Sequence, residues 1–161
     1  MPFDDSQALR IPRFPRIAAL PLGVLPTSAH SRALAALLNQ VFAGPLANGE
    51  LGFLEHRVLR IHVRDAGVTF RLTLGSDRLT AHTGTGGADV SIEGAAYDFL
   101  LLMTRSEDPD TLFFHRRLSL GGDTELGLYI KNFLDAFEPH PQLARVLATA
   151  DRILPLIERL G

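Results

Sequence analysis

The 161-residue sequence has no cysteine. That excludes a disulfide framework, a thiol nucleophile and a cysteine metal or cluster site, and it fits a reducing compartment. Cationic excess is missing too. Sixteen Lys and Arg face 18 Asp and Glu, for a formal net charge of −2, and a balance without cationic excess argues against a nucleic-acid binder, which usually shows a basic face. There is no long apolar run: the densest, Tyr97 to Met103, is far short of the ~20 residues that span a bilayer. The N-terminus does not read as a secretory signal, because Asp4 and Asp5 follow Met1 and prolines interrupt the first apolar stretch. The expectation is a cytoplasmic protein, at most peripherally membrane-associated.

Catalytic signatures are equally scarce. No G-x-S-x-G elbow occurs, and the six histidines (His30, His56, His62, His82, His115 and His140) include no H-E-x-x-H pair. His62 and His82 read as solvated imidazoles. The glycine-rich stretch Gly84–Asp89 follows a strand but lacks G-x-G-x-x-G spacing and leads into another strand. It is therefore expected to be a wide hairpin loop. Glu107, Asp108 and Asp110 cluster around Pro109 and are expected to cap the next segment rather than act as acid and base. The chain reads as a non-enzyme, with no catalytic residue, metal or cofactor.

What is present is an ordinary globular composition, 46% apolar and 21% charged, in a length that suits one domain. Residues 1–27 form an arm broken by Pro2, Pro12, Pro15, Pro21 and Pro26 yet rich in Ile, Leu, Phe and Val. Proline keeps such an arm irregular, and its apolar content requires something apolar to lie against. Residues 28–161 form the single domain. Thr27 or Ser28 is placed to cap a helix carrying Leu34, Leu37, Leu38, Val41 and Phe42 on one face, stopped by Gly44-Pro45. A helical turn at Glu50–Leu54 follows.

Alternation then takes over. Leu59, Ile61 and Val63 share one face, as do Val68, Phe70, Leu72 and Leu74 after an Asp65-Ala66-Gly67 turn. Leu79 and Ala81, then Val90 and Ile92, continue the pattern, which predicts an antiparallel sheet with one wet and one buried face. Residues 95–104 read as a helix, Leu112-Phe113-Phe114 as a short turn, and Leu118 and Leu120 as a last strand. Asp123 caps a helix whose stripe is Leu126, Tyr129, Ile130, Phe133, Leu134 and Phe137. Past Pro139-His140-Pro141 a final helix carries Leu143 to Ile157, kinked at Pro155. The fold class is α+β: a mainly antiparallel five-stranded sheet with helices on one face.

The helices bring more apolar surface than one modest sheet demands. Two interiors satisfy that pattern. One is a tightly filled core. The other is an apolar cavity with a few polar anchors, for which Tyr129 and Thr104 are candidates. The cavity-wall set is Phe99, Met103, Phe113, Phe114, Leu118, Leu126, Tyr129, Ile130, Phe133 and Phe137. Likewise Arg10, Arg13 and Arg16, interleaved with Ile11, Phe14 and Ile17, suit either an anionic membrane surface, at ~1 kcal/mol per cation, or an arm folded over the protein's own core.

The stretch DPDTLFFHRRLSLGGDTELGLYIKNFLDAFE (Asp108–Glu138) resembles the C-terminal half of the sterol carrier protein type-two (SCP2) lipid-binding domain. There a strand ending in Gly-Asp leads into an apolar helix. The Pro- and Arg-containing arm, Gly49–Glu55 and Leu59–Asp65 are similar to the branch of bacterial ubiquinone-biosynthesis accessory factors, UbiT. The resemblance spans about Arg10 to Phe137. It implies an SCP2-like fold with an apolar tunnel holding an isoprenoid quinone intermediate or a phospholipid, in oxygen-independent ubiquinone synthesis. It also implies that an iron–sulfur hydroxylase pair and other quinone-biosynthesis proteins are the partners that carry the chemistry. A filled-core scaffold that recruits such enzymes to the membrane is the other reading. Oligomeric state is open, with a homodimer among the options.

Overall fold

The computed structural model describes residues 26–139 and single positions at 141 and 145. The arm, with Arg10, Arg13, Phe14 and Arg16, and most of the final helix lie outside the described residues. Within them, helix α1 (Thr27–Val41) leads to a short α2 (Ala43–Ala47) and a 3-10 turn (Gly52–Leu54). Strands β1 (Leu59–Val63), β2 (Val68–Leu74), β3 (Leu79–Ala81) and β4 (Val90–Gly94) follow. Then come α3 (Ala96–Thr104), α4 (Pro109–Phe114), β5 (Leu118–Gly122) and α5 (Thr124–Ala136).

The five strands form one sheet in the order β3-β2-β1-β4-β5. Register explains the alternation. Leu59 pairs with Leu72 and Val90, Ile61 with Phe70 and Ile92, and Ile92 with Leu120, so all these side chains share one face. Helices cover that face. The other carries Arg60, His62, Thr69, Arg71 and Ser119, none of them buried.

One pairing departs from the sequence expectation. β4 joins β1 in parallel, while the other neighbours are antiparallel. Residues 82–89 are thus a crossover and not a hairpin loop. The chain leaves β3, passes β2 and β1, and re-enters beside β1. Eight residues reach roughly 25 Å when extended, ample for strands three places apart at ~4.8 Å spacing. The crossover is held by Arg71, whose Nη2 donates to Gly86 O at 2.5 Å.

The ends of elements also differ in detail. Pro26, not Thr27 or Ser28, is the N-cap of α1, and no side chain caps it. Gly44-Pro45 does not end the helical region but lies inside α2. The Leu112-Phe113-Phe114 turn is part of a full helix, α4, capped by Asp108, whose carboxylate accepts from Thr111 N. Asp123 caps α5 as expected, with Oδ1 accepting from Glu125 N at 2.9 Å and Leu126 N at 3.1 Å. The Gly-Asp step before α5 has a steric basis. Gly122 has φ +81°, and a Cβ there would meet Asp89 O at 2.5 Å, so only glycine turns the chain from strand to helix so close to β4.

Candidate functional site

Between sheet and helices lies an apolar pocket of about 230 Å³. Its floor is the buried sheet face: Leu59, Ile61, Val63, Phe70, Leu72, Leu79 and Ile92. α1 contributes Leu34, Leu37, Leu38 and Val41, with Phe42 just beyond its end, and the 3-10 turn contributes Phe53 and Leu54. α3 provides Phe99, Leu102 and Met103, and α5 provides Ile130, Phe133 and Leu134. All these lining side chains are apolar. Leu37, 52% exposed, marks the place where the wall meets solvent. The volume falls below the ~300–1,000 Å³ usual for enclosed small ligands. The described structure is thus a partly open core, tighter than a tunnel sized for a long chain.

Of the wall residues expected from sequence, Phe99, Met103, Ile130 and Phe133 come together here. Leu118, Leu126 and Phe137 are buried in the surrounding core but do not line the space. Phe137 instead packs edge-on against Phe42 with centroids 4.8 Å apart. Phe113 lies in a shallow surface groove near Lys131. Phe114 is 84% exposed, and Tyr129, half-exposed, donates its hydroxyl to Glu125 Oε1 at 3.0 Å while its ring sits 5.8 Å from that of Phe53. Neither Phe114 nor Tyr129 reaches the pocket. Thr104 is not aimed into it either, because its hydroxyl donates back to Leu100 O at 2.8 Å. The wall that sequence reasoning missed is the α1 stripe and the strand faces. Both were visible as apolar periodicities, but no single-segment signal says that they meet.

Three polar contacts tie together the elements around the pocket. Asp98, 3% exposed in the first turn of α3, forms an ion pair with Arg117 at the start of β5. A buried carboxylate at a helix N-terminus is also favoured by the unsatisfied N–H groups there. At the other end of α3, Arg105 adopts the left-handed conformation (φ 55°), and its Nη1 donates to Leu134 O at 3.0 Å. A cation thereby satisfies a C-terminal carbonyl of α5. Lys131 on α5 bonds Asp110 on α4 at 2.5 Å, and this hydrogen bond raises the Lys131 pKa. Together these contacts fix α5 relative to α3 and α4.

No cluster of His, Cys, Asp or Glu fit to hold a metal occurs among the described residues. His62 Nδ1 is occupied by Thr69 Oγ1 at 2.9 Å. The described helices include none long and apolar enough to cross a membrane.

Comparison with known proteins agrees with this architecture. Residues 35–135 match the SCP-2 sterol transfer family. The chain is 42% identical over 124 residues, 77% of its own length and 71% of the relative's, to the "Ubiquinone biosynthesis accessory factor UbiT" of Escherichia coli strain K12. The protein of the same description from Escherichia coli O157:H7 matches equally. Among solved structures, a "UbiJ-SCP2 Ubiquinone synthesis protein" superposes with a TM-score of 0.53 at 19% identity, covering 66% of this chain and 94% of that one. At that identity the likeness speaks for the fold alone.

Proposed function

This chain belongs to the SCP-2 sterol transfer family, in the branch of its UbiT relatives, and from that premise we propose that it is a non-catalytic lipid-binding accessory factor of ubiquinone biosynthesis. Its cargo is a prenylated quinone intermediate or a phospholipid, which it presents to partner hydroxylases in the oxygen-independent pathway. The observation that carries the reading is the pocket between sheet and helices, walled by apolar side chains alone. Such a wall has no group to polarise a bond or move a proton, and much to offer a hydrocarbon chain. A prenyl tail buries on the order of hundreds of Å² at roughly 25 cal/mol per Å². That is enough for micromolar affinity after ordering costs.

Because about 230 Å³ is small for such a tail, loading requires the helices to move off the sheet. α1 is held to β2 and β3 through Ser31 and Asn39, and α5 to α3 and α4 through Arg105 and Lys131, so these contacts are among those that loading must loosen. The basic, apolar arm (Arg10, Arg13, Phe14, Arg16) serves in this reading as a peripheral membrane contact.

Native mass spectrometry of the purified chain, with organic extraction and lipid analysis, tests the function. The expected result is a co-purifying isoprenoid or acyl lipid displaced by added quinone precursor. A bare chain that also fails to take up an added prenyl lipid overturns the proposal and leaves a filled-core scaffold as the reading.

A further inference from the structure

The glycine-rich crossover plays no part in the lipid pocket, because it lies against the opposite face of the sheet. Arg71 projects from that face, and its Nη2 donates to Gly86 O at 2.5 Å. His82 follows β3 on the same side, and its ring fills the space beside Gly84, where an added Cβ would sit 2.8 Å from Nε2. These two contacts lay residues 83–88 over the strands. The N–H groups of residues 83–88 donate to no acceptor among the described residues. A run of unpaired backbone N–H groups is a donor surface of the kind that binds anions.

Cations gather beneath it. Arg60 stands directly opposite Arg71 across the β1–β2 ladder, and like charges so placed, with Cβ atoms about 5 Å apart, repel. No ion pair relieves that repulsion. The Arg60 guanidinium has no partner among the described residues, and Arg71 Nε is buried without an acceptor. Of the strand residues on this face Glu93 alone is acidic, and it stands one row further on, opposite His62. Asp89, at the end of the crossover, is turned to other partners: its carboxylate accepts from Val58 N at 2.7 Å and pairs with Arg57.

We propose that Arg60, Arg71 and the crossover over residues 83–88 form a binding site for a phosphate oxyanion, with His82 as a further donor. The anion's charge removes the repulsion between the two arginines. Its oxygens accept from the guanidinium groups, Arg71 Nε included, and from the loop N–H groups, and phosphate geometry suits the arginine fork. The shared chemistry is a phosphate ester, carried either by a lipid headgroup at a membrane surface or by a soluble compound. A lipid seated in the pocket does not supply it, since the sheet separates the two. The inference therefore stands apart from the lipid reading.

Nuclear magnetic resonance of the full-length chain, titrated with inorganic phosphate against chloride at constant ionic strength, tests it. The amides of residues 83–88 shift saturably with phosphate. Arg60→Gln weakens that response by at least about tenfold, as expected for the loss of one charge-assisted hydrogen bond, whereas Arg78→Gln, on the turn between β2 and β3, leaves it unchanged. Arg60 has no partner to lose, so its variant keeps the fold, which circular dichroism checks. Co-sedimentation with vesicles of phosphatidylglycerol in phosphatidylcholine then distinguishes the sources. Retention that Arg60→Gln reduces assigns a lipid headgroup, and retention indifferent to it assigns a soluble phosphate compound. Amides of residues 83–88 that do not respond to phosphate overturn the proposal. So does a response that Arg60→Gln and Arg78→Gln weaken alike or not at all, since that is general screening and not a site.

Discussion

The side chain of Asn39 pairs with the backbone of Leu79 as another strand would: Nδ2 donates to Leu79 O at 2.9 Å, and Leu79 N donates to Oδ1 at 2.7 Å. One amide thereby closes the outermost strand, and Ser31, also on α1, satisfies a backbone group of β2, its Oγ accepting from Arg71 N at 2.9 Å. Asn39→Ala is expected to cost about 2 kcal/mol, because two part-buried backbone groups lose their partners. Denaturant unfolding measures the loss. Asn39→Asp does not restore it, since the new carboxylate oxygen faces the Leu79 carbonyl.

Asp98 and Arg117 form a buried pair whose disruption leaves one charge uncompensated. Asp98→Ala and Arg117→Ala are each expected to destabilise by about 3 kcal/mol, and the double variant by much less than their sum. A double-mutant cycle in urea checks this. Additive losses would mean that the two side chains do not interact.

Tyr129 titrates above its ordinary 10.0, chiefly because its hydroxyl bonds Glu125, whose charge adds to the effect. The fold favours the neutral phenol. Its contribution to stability is therefore complete below pH 10 and is lost as pH rises through the folded-state value. Ultraviolet difference titration should show one phenol with a raised midpoint, which Glu125→Gln lowers. An unchanged midpoint in that variant would refute the bond.

Met103 lines the pocket without being fully buried, so Met103→Trp should fill the space. Uptake of a fluorescent acyl or prenyl probe is expected to fall by at least about tenfold, with a stability change within the ~1–3 kcal/mol of overpacking. Phe114→Ala, outside the pocket and 84% exposed, should leave uptake unchanged. Equal uptake by Met103→Trp and the unaltered chain would place the ligand elsewhere.

Strand positions were legible in the sequence because one-sided burial imposes a period of two. Val68–Leu74 is recovered residue for residue. The Asp123 cap and the Leu126, Ile130 and Leu134 stripe were legible for the same local reason. Long-range geometry was not. The parallel placement of β4 depends on where residues 82–89 travel, and a glycine-rich loop looks alike whether it turns back or crosses over. Tyr129 falls on the α5 stripe by periodicity, yet Glu125 one turn earlier gives its hydroxyl a partner at the surface. Asp98 escaped notice because its partner lies 19 positions away on another element. The pocket wall combines faces of α1, α3, α5 and the sheet, a coincidence that no window of sequence contains.

The crossover also sets an order of events as the chain matures. β1, β2 and β3 are joined by tight turns and can zip together from neighbouring residues, whereas the central seam between β1 and β4 closes only when the chain has doubled back past the finished meander. Non-local closure of that kind is slow. Refolding should therefore show the hairpin amides of residues 59–81 protected from exchange before those of β4 and β5. Until the seam shuts, the apolar floor is half its final width.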